Sequence, residues 1–407
     1  MSSALDEAMQ AGSTVAWAKL AGRRLCDACL GRLVGKAGHG LTNPERGLAL
    51  RERSGISAGG PCWLCGGILD EVDKFADLSA AKLEPFEFAT FLVGTKVDPE
   101  VVSREESLWT ELGAGNAEAI KSELNREIGK RLEIRFRRPA EFARPDVVAI
   151  VDTAFDSVAV TVNPLFIYGR YRKIVRGIPQ TRWPCRRCQG KGCEHCGGRG
   201  KMYETSVEEL VAAPVIAQVG GSGHALHGMG REDVDALMLG RGRPFIVEIK
   251  EPVRRTVDLT AVEAAVNRTG QVEVAGLRPS TGGEVVTLKE DRARKTYRVL
   301  VRLGAPVADG KLKSAVSSLV ARPIAQRTPV RVSHRRADRT RERLVTAIEV
   351  SRSDGGTVEL RVTAEAGTYV KELVHGDGGR TTPSLAEALG VACEVVELDV
   401  LEIQDSG

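Results

Sequence analysis

Eight of the nine cysteines fall in C-x-x-C pairs: Cys26/Cys29, Cys62/Cys65, Cys185/Cys188 and Cys193/Cys196. A C-x-x-C turn aims two thiolates at one point, and two such turns complete a tetrahedral zinc site. The first four lie in CDAC and PCWLCGG, the second four in CRRCQGKGCEHCGGRGK as C-x2-C-x4-C-x2-C. Glycines beside these pairs permit the tight turns a knuckle requires. Four sulfurs close a site completely, so the chemistry expected of both sets is structural rather than catalytic zinc. Cys393 stands alone in an apolar context, VACEVV.

A different chemistry is offered by HGMGREDVDALMLGRGRPF. Gly230-Arg231-Glu232-Asp233 places a carboxylate beside a cation on a glycine-rich loop, ahead of a strand at Phe245. Taken alone, it reads more readily as a turn with solvated charges, since loop acids are common. Two further segments add aromatics. Lys295-Thr-Tyr297 opens an alternating strand, and Gly367-Thr-Tyr369-Val-Lys371 is expected to place an aromatic and, two residues later, a cation on the same face of an extended segment. If these pieces converge, they make a carboxylate, two flat rings and one or two cations, a pocket suited to a planar base turned out of its stack. The plainer alternative makes both tyrosines ordinary core residues. No GxxxxGK[ST], no GxGxxG with a following acid and no HExxH occurs, and the six histidines are scattered. No nucleotide cofactor is expected.

The elements that must position these residues follow from length and pattern. At 407 residues, with 42% hydrophobic and 28% charged, the chain predicts two to four globular domains. No apolar run is long enough to span a membrane, and the first residues lack the order of a secretory signal, so a cytoplasmic location is expected. The net charge of +4 is mild, but residues 170–201 hold ten cations against Glu194, and a second basic cluster runs from Arg331 to Arg343. Such blocks suit a polyphosphate partner. Helices are expected over Ser3–Leu20, Asn116–Leu132, Ala261–Asn267, Lys311–Val320 and Ser384–Leu389. Strands are expected over Glu84–Leu92, Leu132–Phe136, Val147–Val151, Ser157–Val162, Phe245–Ile249, Thr296–Leu303 and Thr357–Thr363, with Asn163–Met202 irregular. Helices and strands that do not strictly alternate predict an α+β fold with a mostly antiparallel sheet.

The segments PLFIYGRYRKIVRGIPQTRWPC, GKMYETSVEELV, GREDVDALMLGRGRPFIVEI, NRTGQVEV, KTYRVLV, GTYVKELVHGDGGRTTPS and LDVLEI resemble, from about Leu165 to the C-terminus, the archaeal-type tRNA pseudouridine synthases that act on uridines 54 and 55 of the TΨC arm. The likeness extends more loosely over residues 1–165, where that family carries a zinc-knuckle module and a THUMP RNA-binding domain. It implies a zinc-knuckle module at 1–70, a THUMP-like domain at 71–165, a basic Cys-rich linker at 166–204 and the catalytic domain at 205–407. By position, Asp233 matches the catalytic nucleophile, with Asp235 its competitor. Tyr297 matches the aromatic that stacks on the target uracil, and Tyr369 a second substrate-contacting tyrosine. Lys371 matches the cation that pairs with the carboxylate, and Arg231 stands beside it. Cys26, Cys29, Cys62 and Cys65 match the family's zinc ligands. The resemblance implies a monomer acting on tRNA with structural zinc and no catalytic cofactor. A THUMP-type methylase or thiolase would instead need a cofactor loop or a catalytic cysteine, and an inactive zinc-dependent RNA binder would leave the three motifs to coincidence.

Overall fold

The computed structural model describes residues 2–20, 22–54, 60–335, 337–354 and 356–404. It divides into two compact units, Met1–Pro164 with Glu251–Arg255, and Leu165–Lys250 with Thr256–Gly407. Each has its own hydrophobic core.

The first unit runs α1 (Ser2–Gly12), α2 (Asp27–Arg32), α3 (Asn43–Ser54), α4 (Val72–Leu83), β1 (Phe91–Lys96), α5 (Pro99–Leu112), α6 (Ile120–Phe136), β2 (Val147–Asp152) and β3 (Ser157–Val162). β1 pairs with β2 in parallel and β2 with β3 antiparallel. Helix α5 starts where Asp98 accepts from the Glu100 amide and Pro99 supplies a preset φ; it ends at Gly113 in the left-handed region. Ile120, Leu124, Ile128 and Leu132 form the fully buried stripe of α6. Each such leucine or isoleucine contributes about 1.5–3 kcal/mol of burial.

Three expectations shift here. Leu132–Phe136 is the last turn of α6, not a strand. Its L-E-I-R-F alternation imitates a strand, but Leu132 continues the helical stripe while Ile134 is 78% exposed. The strand expected over Glu84–Leu92 lies instead at Phe91–Lys96. The helix expected to reach Leu20 stops at Gly12, where glycine and Ser13-Thr14 favour a turn.

The second unit runs β4 (Leu165–Lys173), α7 (Val207–Val219), β5 (Gly223–Gly228), β6 (Met238–Lys250), α8 (Leu259–Asn267), β7 (Val272–Ser280), α9 (Gly282–Glu290), β8 (Lys295–Leu303), α10 (Asp309–Ser318), β9 (Pro323–Arg327), β10 (Thr340–Ser353), β11 (Thr357–Ala364), α11 (Val370–His375), β12 (Thr381–Thr382), α12 (Leu385–Leu389) and β13 (Cys393–Ile403). The sheet order is β12-β9-β10-β11-β8-β13-β6-β4-β7, with β5 also paired to β6. All pairings are antiparallel except β13 with β6. The fold is therefore α+β with a mostly antiparallel sheet. Val299, Val301 and Leu303 of β8 and Val358, Leu360 and Val362 of β11 face the core, as their alternation requires. Residues Leu165–Lys173, expected to be irregular, form β4 between β6 and β7. Their cations obscured an alternation in which Ile167, Tyr171 and Lys173 point inward.

The β13–β6 seam is the sheet's parallel pairing. One residue pair, Val400 with Met238, is in ladder register there. A cleft is lined by residues of β6, β8, β13 and the start of α11, together with loop residues 230–233, 236, 331–332 and 366–369.

Candidate functional site

The loop between β5 and β6 carries Gly230, Arg231, Glu232, Asp233 and Asp235. Gly230 has φ +75, in the left-handed region that favours glycine, and the Lys295 Nζ lies 2.7 Å from where a Cβ would sit. Glu232 is the loop's buried anchor. Its carboxylate accepts from the Tyr171 hydroxyl at 2.8 Å and from the Arg243 Nε at 2.9 Å. Gln180 donates to the Tyr171 hydroxyl and to the Gly230 carbonyl, and Arg243 donates to the Met229 carbonyl. Burial, with Glu232 adding to it, pushes the Tyr171 phenol well above its ordinary value, so it stays a donor. The far end of the loop is held by Asp399, which accepts from the Leu237 amide at 3.0 Å and pairs with Arg176 and Arg298.

This frame leaves Asp233 at the tip. Its Oδ2 lies 3.3 Å from the Arg331 NH1 and 3.3 Å from the Lys371 Nζ. Arg331 is itself held by the buried Glu372, Nε to Oε1 at 2.7 Å. Beneath the loop, the Lys173 Nζ donates to the carbonyls of Asp233, Val234 and Ile178. Asp233, Tyr297, Tyr369, Lys371, Arg231 and Arg331 line one cleft of about 370 Å³. Burial pushes the Tyr297 phenol up to about 12. The backbone of Tyr369 is clamped by Gln326, which accepts from its amide at 2.9 Å and donates to its carbonyl at 3.0 Å. Asp235 pairs with Lys371 at 3.0 Å, is largely solvent-exposed and lies outside the cleft lining. The Arg231 guanidinium lies 5.9 Å from the ring centroid of Trp183.

The structure thus brings the carboxylate, both tyrosines and the cations of the three motifs together. Two details differ from expectation. Tyr369 and Lys371 do not share an extended segment: Tyr369 caps α11 and Lys371 is in its first turn. Arg331, expected only within a surface cluster, engages Asp233 and Glu372 directly. Within that cluster Arg339 and Arg341 are exposed, Arg336 lies outside the described residues, and of Arg335 the backbone alone is described. Tyr171, Gln180, Arg243, Gln326 and Glu372 carried no sequence signal. Their partners lie elsewhere in the chain, so no local pattern marks them as a buried network.

Not all ten cations of 170–201 face solvent. Lys173 is buried, while Arg172 and Arg176 are exposed but paired, the first with Glu273 and the second with Asp399 and Glu397. Arg182, Arg186, Arg187, Lys191 and Arg199 are exposed around the second cysteine set.

Each cysteine set gathers at one point. Within each, the sulfurs lie within 4.8 Å of one another. Cys26 and Cys65 are 3.8 Å apart, and Cys185 and Cys193 are 3.9 Å apart. A tetrahedron of Zn–S bonds of about 2.3 Å separates its sulfurs by about 3.8 Å, so the residues fit that ion. In the first set Cys26 and then Cys29 push the Cys62 and Cys65 thiols down, while Cys29 is pushed up, first by Cys26. Four thiolates this close need a cation to ionise together.

Two family models match the chain: "Pus10, C-terminal" over residues 166–404 and "Pus10 THUMP domain, archaeal" over residues 75–152. The chain belongs to the Pus10 family of tRNA pseudouridine synthases. Its enzyme class is accordingly that of a pseudouridine synthase, an isomerase. Among relatives named tRNA pseudouridine synthase Pus10, that of Methanothermobacter marburgensis is 47% identical over 387 residues, covering 93% of this chain and 95% of its own. That of Halorubrum lacusprofundi is 45% identical over 398 residues, covering 93% of each. That of Methanothrix thermoacetophila is 40% identical over 414 residues, covering 93% and 91%. Among solved structures, a chain of a Cbf5-Nop10-Gar1 complex aligns at 23% identity with a TM-score of 0.31, over 48% of this chain and 45% of that one, a likeness too low to add to the assignment. Among the described residues, no helix is long and apolar enough to cross a membrane.

Proposed function

We propose that the enzyme isomerises uridine 55, and uridine 54 beside it, in the TΨC arm of tRNA, with Asp233 as the catalytic nucleophile. The observation that carries this reading is the Asp233 carboxylate set between Arg331 and Lys371 in the cleft that Tyr297 and Tyr369 also line. Making pseudouridine breaks the C1′–N1 bond, turns the uracil and joins C1′ to C5. The product is an isomer, so the reaction needs no external oxidant or reductant. Asp233 attacks C1′ or removes a ribose proton, and its two cations fix where its oxygens point. Tyr297 stacks on the uracil, which holds the detached base without fixing its in-plane rotation. Tyr369 contacts the nucleoside, and Arg231 contacts RNA at the rim.

Turning the uridine out of its stack costs a few kcal/mol, and contacts to the RNA backbone offset it. The exposed cations at 182–199, with Arg339 and Arg341, are suited to that role. The domain plan we infer is a zinc-knuckle module at 1–70 and a THUMP-like region at 71–165 that grip the tRNA. The basic Cys-rich segment 166–204 leads into the catalytic domain, 205–407, and its first residues join that domain's sheet as β4. Both cysteine sets hold structural zinc and take no part in bond breaking. Cysteines paired as metal ligands rather than as disulfides suit the reducing cytoplasm, where we place the protein as a monomer.

The test is Asp233→Asn on an unmodified tRNA transcript, with pseudouridine mapped by carbodiimide. We expect loss of product at positions 54 and 55, with tRNA affinity changed by no more than a few-fold. Wild-type turnover by the variant would remove Asp233 from the role, and wild-type product elsewhere would remove the target assignment.

A further inference from the structure

Lys295 begins β8, two residues before Tyr297, and its side chain lines the cleft. Its Nζ closes over Gly230, three residues before Asp233. The neighbouring cations are already matched to acids: Arg331 and Lys371 to Asp233, and Arg243 to Glu232. Among the described residues the Lys295 amine has no hydrogen bond and no ion pair. A half-buried ammonium kept without an acid is costly, and such a group at a reacting centre implies a charge that arrives with the substrate.

The chemistry supplies that charge. When C1′–N1 breaks, N1 keeps the bonding pair and the uracil becomes an anion delocalised over O2 and O4. When C5 then bonds to C1′, the C5 proton leaves to solvent and N1 takes one back, so the charge exists only between the two steps. We propose that Lys295 is the counter-charge for the detached uracil, its ammonium pairing with the uracil anion while the ring turns against Tyr297. This rests on the Asp233 reading above.

Burial, with Arg243 adding to it, pushes the Lys295 amine down to about 8, while Glu232 and Asp291 oppose the shift. The cleft it lines also holds the titratable or charged side chains of Asp233, Tyr297 and Tyr369, and the cations Arg231, Lys289, Arg292, Arg331 and Lys371. The ammonium therefore prevails below that pH and is lost as pH rises through it.

The experiment is single-turnover pseudouridine formation across pH for the full-length wild type, K295M and K295R, with tRNA affinity measured alongside. We expect K295M to be about 100-fold slower at pH 7 with affinity within about three-fold, since only the transition-state charge is lost. We expect K295R to keep activity and to move the alkaline limb of the wild-type profile up by about one pH unit, because a guanidinium does not titrate there. A K295M rate within about three-fold of wild type, or a K295R limb at the wild-type position, overturns the proposal. If K295M does not fold, the K295R profile decides. A Asp233→Asn variant that turns over normally faults the site reading instead, whatever Lys295 does.

Discussion

Cys26, Cys29, Cys62 and Cys65 sit among the core side chains of the N-terminal unit, whereas Cys185, Cys188, Cys193 and Cys196 close a loop that adds nothing to the core of the second. The first set packs with Leu25, Leu30, Leu64 and Phe75. Beside Cys29 lies buried Arg32, which reaches its sulfur at 3.4 Å and pairs with Glu105 and with Glu123 at 3.2 Å. In the second set the buried Cys185 and Cys196 are covered by their own knuckle, whose base is a Pro184–Lys201 bridge and the edge-on rings of Trp183 and Tyr203 at 5.3 Å. Its backbone depends on glycine: Gly200 has φ +68, and a Cβ there would collide with the Gly190 carbonyl. The same four ligands thus serve two ends. One metal is expected to hold a core together, the other to hold out a basic surface.

The largest effect that would sharpen this contrast is expected from Cys26→Ser with Cys29→Ser. Structural zinc in small modules is worth about 10 kcal/mol or more, comparable to a whole domain's stability. Protease digestion should remove the N-terminal unit and spare the second, and elemental analysis should fall from two zinc atoms per chain to one. A variant that melts and digests like wild type would break the comparison. Next comes Cys185→Ser with Cys188→Ser. Its Tm should stay within about 3 °C of wild type, because little core depends on the knuckle. Affinity for tRNA should fall about ten-fold, roughly the loss of several phosphate contacts. A Tm drop as large as in the first variant would make the two sites equivalent after all. The smallest effect is expected from Arg186→Ala, Arg187→Ala and Lys191→Ala together. Stability should not change, and the salt dependence of tRNA binding should weaken by about two in log–log slope. An unchanged slope would take RNA contact away from the knuckle.

In the candidate cleft, local patterns and tertiary contacts can be told apart. Asp233 and Tyr297 were legible because a glycine-rich acidic turn and a clean two-residue alternation are local patterns. So were the core faces of β8 and β11, the α+β class and both cysteine sets. Leu132–Phe136 misled because five residues satisfy strand and helix periods alike, and only the burial of Leu132 beside Ile128 separates them. Leu165–Lys173 misled because its arginines and lysine suggested a loop, while the ladder with β6 and β7 made it a strand. Arg331 was legible as charge but not as a partner. Its bond to Glu372 joins residues 41 apart in sequence.

What the sequence determined by itself was the chemistry available: which residues can ligate, attack, stack or carry charge depends on side-chain type and short spacing. Which of those groups meet was decided by tertiary structure alone. The β13–β6 seam, the Glu232–Tyr171–Arg243 anchor and the pairing of Asp233 with Arg331 and Lys371 all link distant segments. The reason is physical: a buried charge such as Glu232 is stabilised by partners that arrive from elsewhere in the chain, and no local pattern records their arrival.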